Sequence, residues 1–307
     1  MRVLVTGASG QVGRDLVDAL NGRVPAAGTA TALLGGHAVV PGEFDVVAAD
    51  HATLAVDDER AVRAAVEGCR PDVVVHLAAY TAVDRAETEP ERAEAVNGRG
   101  TANVAAAAAR AGAHLVYTST DYVFDGTKPT GYLEDDPPNP RSVYGRTKLS
   151  GERACPDDAT IARVSWVAGL HGRNIVRLAV ERALRGEPMR FVDDQRGCPS
   201  FAADLAAGIV TLVRDRPRGR VHLTNAGVTT WYGLVREVVV ATGGDPETVT
   251  PIATSALDPQ PLAPRPTNSE LTPGRLRDDG YDLLPPWEDA MRRLVAAMLE
   301  GSHPVDR

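Results

Sequence analysis

The sequence predicts an α/β fold: a doubly wound parallel sheet with helices on both faces, followed by a smaller α/β lobe. Three observations carry this. Short apolar runs alternate with stretches of helical periodicity through the first half of the chain, the pattern of consecutive β-α units. The first run, Arg2–Thr6, ends in a glycine-rich turn that opens a helix. The chain has 307 residues, more than one minimal domain needs.

Each element follows from its pattern. Arg2–Thr6 is the short apolar run of a buried parallel strand. Val12–Leu20 repeats apolar residues at helical spacing. Asn21–Glu43 is rich in Gly, Ala, Pro and Thr. It is longer than the roughly 2–6 residues usual for such a connection, and reads as a surface insertion. Phe44–Ala49 is the second strand, and Asp58–Glu67 a helix with Val62, Ala65 and Val66 inward. Asp72–Ala78 is the clearest strand of the sequence; Pro90–Arg110 is an Ala-rich helical stretch, and Leu115–Ser119 the next strand. Past residue 155 the alternation loosens. Strand-like Thr160–Val164, Met189–Val192 and Arg220–Leu223 are interrupted by helical Ile175–Arg185 and Ala203–Arg214. A Pro-rich segment, Pro251–Pro273, precedes a terminal helix over Trp287–Leu299. Residues 1–158 are expected to form a dinucleotide-binding domain, with return segments near 200–230. Residues 159–307 are expected to form mainly the second lobe, interleaved with the first.

Composition excludes several functions. Net charge is −8, so no global positive field draws in nucleic acid or anionic membrane. The three cysteines, Cys69, Cys155 and Cys198, are dispersed and form no C-x-x-C pair, which argues against a disulfide framework or zinc site. No apolar run approaches the roughly 18 residues of a membrane span, and the chain opens on a strand instead of a charged-then-apolar leader. A cytoplasmic protein is expected. Of the 33 basic residues only Lys128 and Lys148 are lysines, which makes each of them worth inspecting.

Two constellations carry chemistry. Gly7-Ala8-Ser9-Gly10-Gln11-Val12-Gly13 follows a strand and opens a helix. Such a turn lets backbone N–H groups and the positive end of the helix approach a pyrophosphate. The spacing is G-x-x-G-x-x-G, and an ordinary glycine-requiring turn is the plainer reading. Asp50, ending the second strand, is the candidate for the ribose hydroxyls; a carboxylate there disfavours a 2′-phosphate, favouring NADH over NADPH. Its plainer role is a loop cap. The second constellation is Tyr144-Gly145-Arg146-Thr147-Lys148, which puts Tyr and Lys on one helix face. A nearby ammonium favours the phenolate and is expected to lower the tyrosine pKa from about 10. A tyrosine so tuned can protonate a carbonyl oxygen while hydride reaches carbon. A surface Tyr with a solvated Lys is the plainer alternative. Ser119 and Thr120 end a strand, where ligands of open α/β sheets bind and where loop caps are equally common.

GASGQVG, AAYTAVDRAETEP (78–90), STDYVFDG (119–126) and YGRTK together make the chain resemble an extended short-chain dehydrogenase/reductase. More narrowly, it resembles the dTDP-4-dehydrorhamnose reductase family. The likeness continues through Arg163–Val167, Asp194–Pro199, Thr230–Tyr232 and Arg265–Leu271, nearly the whole chain. The resemblance implies a Rossmann-type fold and NAD(P)H-dependent reduction of the 4-keto group of a dTDP-4-keto-6-deoxyhexose. It implies Thr120, Tyr144 and Lys148 as catalytic residues, Tyr144 and Lys148 also touching the cofactor. It implies cofactor contacts at Gly10, Gln11, Val12, Ala78, Ala79 and Tyr80, beside the Gly7, Gly13 and Asp50 read from the turn and strand end, and sugar-nucleotide contacts at Asp121, Tyr122, Trp166 and Arg265. No metal ligand is assigned; Asp15 is the single carboxylate weighed for a Mg2+ that some relatives use in forming dimers, and a homodimer is left open. The chain departs from the family at His51, where Arg is common, and at Ala55-Val56-Asp57-Asp58. The Asn21–Glu43 insertion departs as well. These departures suit a specialised relative, such as a dihydrostreptose synthase. A sugar epimerase or dehydratase, and a non-catalytic dinucleotide-binding regulatory subunit, are the rival readings.

Overall fold

The computed structural model describes residues 1–24 and 38–300, so most of the Asn21–Glu43 insertion lies outside the described residues. Six strands form one parallel sheet: β1 (Arg2–Thr6), β2 (Asp45–Ala49), β3 (Val73–His76), β4 (His114–Thr120), β5 (Thr160–Val164) and β6 (Gly219–His222). Their order is β2-β1-β3-β4-β5-β6. The direction of winding reverses between β1 and β3, the position at which doubly wound sheets bind ligands.

The side-chain alternation of the strands builds two cores. Val3 and Val5 of β1, Val73 and Val75 of β3 and Val116 of β4 face α1 (Gln11–Leu20) and a long helix over Ala202–Asp215, with Leu16, Leu20, Leu205, Ile209 and Leu212. Leu4, Val74, Leu115 and Tyr117 face the other way. They meet Val62 and Val66 of α2 (Glu59–Cys69), and Val104 and Ala108 of α3 (Thr101–Ala111). Val73, Val74 and Val75 are all fully buried, and each such valine stabilises the fold by roughly 1.5–3 kcal/mol relative to exposure. Asp58 caps α2, its Oδ1 accepting from the Arg60 and Ala61 N–H groups at 2.9 and 3.0 Å.

Two outcomes sharpen the sequence reading. Thr160–Val164 lies past residue 158 yet extends the large sheet, pairing parallel to β4, and Gly219–His222, within the expected return segments near 200–230, pairs parallel to it at the sheet edge. Only Met189–Val192 leaves it, pairing with Val249–Ile252. That pair belongs to a separate core built on Val176, Val180, Leu234, Val235, Met291 and Leu294. The Ala-rich stretch is helical but broken: Pro90–Glu94 is α-helix, Ala95–Gly100 widens to a π-turn, and α3 follows. Among the described residues no helix is long and apolar enough to cross a membrane.

Candidate active site

The glycine turn needs its glycines for space. Gly7 has φ +70°, and a Cβ on Gly13 would stand 2.2 Å from the Gly7 carbonyl oxygen. Gly10, exposed, occupies the N-cap of α1 with no side-chain hydrogen bond to the helix, so the first N–H groups of α1 keep their directions open. The turn sits between neighbours that meet at the switch point. Ala8 N–H donates to the Ala49 carbonyl at 3.0 Å, and Ala78 lies against Gly7. Gln11 accepts from Asn174 Nδ2 at 2.9 Å, tying α1 to the second lobe, and Val12 packs on the core. An anion-accepting cradle with Ala78, Ala79 and Tyr80 beside it fits a dinucleotide.

Asp50 stands beside the turn, at the end of β2. Its Oδ1 accepts from Ala52 N–H, Thr53 N–H and the Thr53 hydroxyl, each at 3.0 Å. These bonds, led by Thr53, hold its carboxyl below the usual range. One oxygen of the expected ribose ligand therefore already caps its own loop.

Buried Asn97, in the π-turn, fixes the strand end opposite. Its Oδ1 accepts from Tyr80 N–H at 2.8 Å, and its Nδ2 donates to the Tyr80 carbonyl and to Thr147 Oγ1, both at 3.1 Å. The widened turn is what aims it there. No sequence signal singled it out.

The second half of the site is α4 (Val143–Ala154), capped by Ser142, whose Oγ accepts from Gly145 N–H at 3.0 Å. Gly145 is required: a Cβ there would stand 2.1 Å from the Tyr122 carbonyl oxygen. This close approach sets α4 against the end of β4. Tyr144 and Lys148 share one face of α4, as their spacing predicts, and meet the end of β4 at Thr120 and at the Thr118 carbonyl. The Thr120 hydroxyl hydrogen-bonds Tyr144 and donates to Asp121 Oδ1 at 2.9 Å. Tyr122 packs edge-on against Tyr144, ring centroids 5.5 Å apart. Lys148 is 3% exposed; its Nζ donates to the Thr118 carbonyl at 2.7 Å and lies 4.3 Å from the Tyr117 ring centroid.

The electrostatics differ from the expectation of a lowered tyrosine pKa. Burial pushes Tyr144 up to about 12, against the Thr120 hydrogen bond that pulls it down. Burial brings Lys148 down to about 7, with Glu152 opposing. The Lys148 amine donates to the Thr118 carbonyl, and burial is what governs Tyr144. In the resting site, therefore, Tyr144 keeps its proton.

The four expected substrate contacts separate. Asp121 is 2% exposed, its two oxygens accepting from the Thr120 and Ser165 hydroxyls at 2.9 and 2.8 Å. It stands behind Thr120 and holds it. Tyr122 and Arg265 line a cleft of about 220 Å³ with Thr127, Arg141, Ser142 and Pro266. Arg265 is already bound to Asp84 Oδ2 at 2.6 Å, while exposed Arg141, which sequence reasoning missed, lines the same cleft. Trp166 has φ +46°, a costly conformation for a bulky residue. It stacks on Trp231 with centroids 3.6 Å apart and planes within 5°. Asp15 is buried, with one oxygen 3.7 Å from His171 Nε2. Among the described residues no group of three or more His, Cys, Asp or Glu could hold a metal ion.

A glycine turn at the switch point of a parallel sheet, with a Tyr-x-x-x-Lys helix against the neighbouring strand end, defines an extended short-chain dehydrogenase/reductase. Residues 1–300 match the family model described as RmlD substrate binding domain. A probable dTDP-4,6-dihydroxy-2-methyloxan-3-one 4-ketoreductase of Streptomyces antibioticus is 41% identical, covering 100% of this chain and 99% of its own. A dTDP-4-dehydrorhamnose reductase of Streptomyces griseus is also 41% identical, covering 97% and 94%. The crystal structure of the Bacillus anthracis dTDP-4-dehydrorhamnose reductase in complex with NADP superposes with a TM-score of 0.85 at 32% identity, covering 96% and 98%. This chain belongs to the dTDP-4-dehydrorhamnose reductase family.

Proposed function

We propose that the protein uses NADH or NADPH to reduce the 4-keto group of a dTDP-4-keto-6-deoxyhexose to a hydroxyl, in deoxysugar biosynthesis. The observation that carries this is the meeting of Thr120 and Lys148, both buried, with half-buried Tyr144 at the end of β4, in the sheet whose first strand ends in the glycine turn. The names of the two Streptomyces relatives, a 4-ketoreductase and a dehydrorhamnose reductase of dTDP-linked sugars, support the substrate class.

A bound reduced nicotinamide supplies the hydride. Gly7, Gly10, Gln11, Val12 and Gly13 hold its pyrophosphate on the N-terminus of α1, with Asp50 toward the adenosine ribose and Ala78–Tyr80 alongside. Thr120 turns its hydroxyl proton from Asp121 to the sugar carbonyl, and Tyr144 gives its proton to that oxygen. Carbon gains hydride, oxygen gains a proton, and the ketone becomes a secondary alcohol. A tyrosine held near pKa 12 suits this direction: it is protonated at neutral pH, and the developing alkoxide is far more basic than a phenolate. Lys148 lies one turn further along the helix, touches the cofactor ribose, and supplies the positive charge that steadies the tyrosinate. Asp121 orients Thr120. Tyr122 and Trp166 flank the sugar, and Arg265 and Arg141 receive the diphosphate, since guanidinium forks match phosphate oxygens.

The test is cofactor oxidation against a panel of dTDP-4-keto sugars, with NMR of the product. A new hydroxyl at C4 is expected. Dinucleotide binding without turnover on any sugar of the panel would leave the regulatory-subunit reading instead.

A further inference from the structure

Glu152 lies one turn beyond Lys148 on α4, with its side chain 1% exposed. A buried carboxylate needs partners, and this one has three. Ser119 Oγ donates to its Oε1 at 2.5 Å, and Arg163 of β5 donates from Nε to Oε1 at 2.9 Å and from Nη2 to Oε2 at 2.8 Å. Arg163 is itself fully buried, anchored on the Glu134 carbonyl at 3.2 Å and over the Phe124 ring. Three successive residues of β4 are thus tied to three successive turns of one helix face. Thr120 meets Tyr144, the Thr118 carbonyl meets Lys148, and Ser119 meets Glu152.

The surroundings of Lys148 make the charge of Glu152 consequential. On α4 its neighbours one turn away are Tyr144 and Glu152, with Cys155 just past the helix; from β4 it meets Tyr117, and from β3, His76. Burial keeps Tyr144 and Cys155 protonated up to about 12, pushes the Tyr117 phenol well above its usual range, and keeps His76 neutral down to about 3. At neutral pH these four carry no charge. Arg163 lies beyond Glu152, and Arg220 Nε of β6 approaches it from outside at 3.8 Å. Glu152 is then the carboxylate whose charge acts on Lys148.

We propose that Glu152 is a positioning residue: held by Ser119 and Arg163, it clamps α4 to the end of β4 and holds a negative charge one turn from Lys148 that favours the ammonium against burial. Its consequence for turnover rests on the reductase reading above; its effect on Lys148 does not.

Lys128 and Lys148 are the chain's two lysines, so the intact protein grown with 15N-lysine gives two side-chain signals, and Lys128→Arg assigns them. In Glu152→Gln the Lys148 titration midpoint should fall by about one pH unit or more. Ser119→Ala, which removes a contact but no charge, should leave it in place. The alkaline limb of kcat should move down with the midpoint, whereas a purely structural role would lower kcat equally at every pH. If Glu152→Gln fails to fold because Arg163 is left unpaired, Glu152→Gln with Arg163→Met leaves no lone charge. A smaller fall in the same direction is expected there. An unmoved Lys148 midpoint in a folded variant overturns the proposal. Wild-type protein that reduces no dTDP-4-keto sugar overturns the reaction instead, with the titration still readable.

Discussion

The glycine turn after β1 and the Tyr144–Lys148 face of α4 stand at carboxyl ends of strands in one sheet, and they prepare for charge by opposite means. The turn works through absent side chains: bare backbone, a helix N-terminus without a side-chain cap, and contacts that no Cβ would survive. The helix works through buried side chains whose protonation is shifted by their surroundings, Tyr144 upward and Lys148 downward. A site of the first kind fails when atoms are added. A site of the second kind fails when a proton or charge is misplaced, even with the shape intact.

Substitutions separate the two modes. Tyr144→Phe removes one oxygen and should lower kcat by roughly 10²–10⁴ with cofactor binding retained; single-turnover rates at saturating cofactor check it, and wild-type turnover would remove Tyr144 from the chemistry. Lys148→Met should abolish most turnover and at the same time change how stability depends on pH. The folded lysine titrates near 7, well below an unfolded one. Between those values the unfolded chain binds the extra proton, so stability rises with pH, by up to about 1.4 kcal/mol per unit from this group. Denaturant titrations from pH 7 to pH 10 should show that rise in wild type and a flatter line in Lys148→Met. Equal slopes would mean the ammonium is solvated. Gly13→Ala acts on the other half. Its Cβ meets backbone at 2.2 Å, an overpacking cost of roughly 1–3 kcal/mol. Lower melting temperature and weaker cofactor binding should appear together, with Lys148 titrating as before.

The same contrast decides what could be read in advance. The central sheet was legible because β1 and β3 are continuous apolar runs between turn signals, and a parallel strand buried on both faces has no other way to read. Tyr144 and Lys148 were legible because helical spacing alone puts them on one face. The direction of the Tyr144 shift was not, since it depends on burial by residues remote in sequence. Asn97, Glu152 and Arg141 carry no local pattern. They enter through a π-turn, through a partner eleven residues on in the next strand, and through a cleft shared with Pro266. The membership of β5 in the large sheet is likewise a matter of pairing, which no window of sequence displays.

The smallest expected effect falls at the border of the two modes, on Asp50. It stands on the backbone-built half of the site but works by a charge, and that charge is half-buried and half spent. Its Oδ1 already satisfies Ala52 and Thr53, so only Oδ2 is left to address a ribose. A carboxylate with only one oxygen left, still open to water, discriminates weakly. Asp50→Ala should therefore shift the NADPH-to-NADH ratio of kcat/KM upward by less than about tenfold, leaving kcat with either cofactor close to wild type. A larger swing would mean that the loop reorganises around the bound adenosine and frees both oxygens. The glycine half of the site would then depend on side-chain electrostatics as much as the helix does.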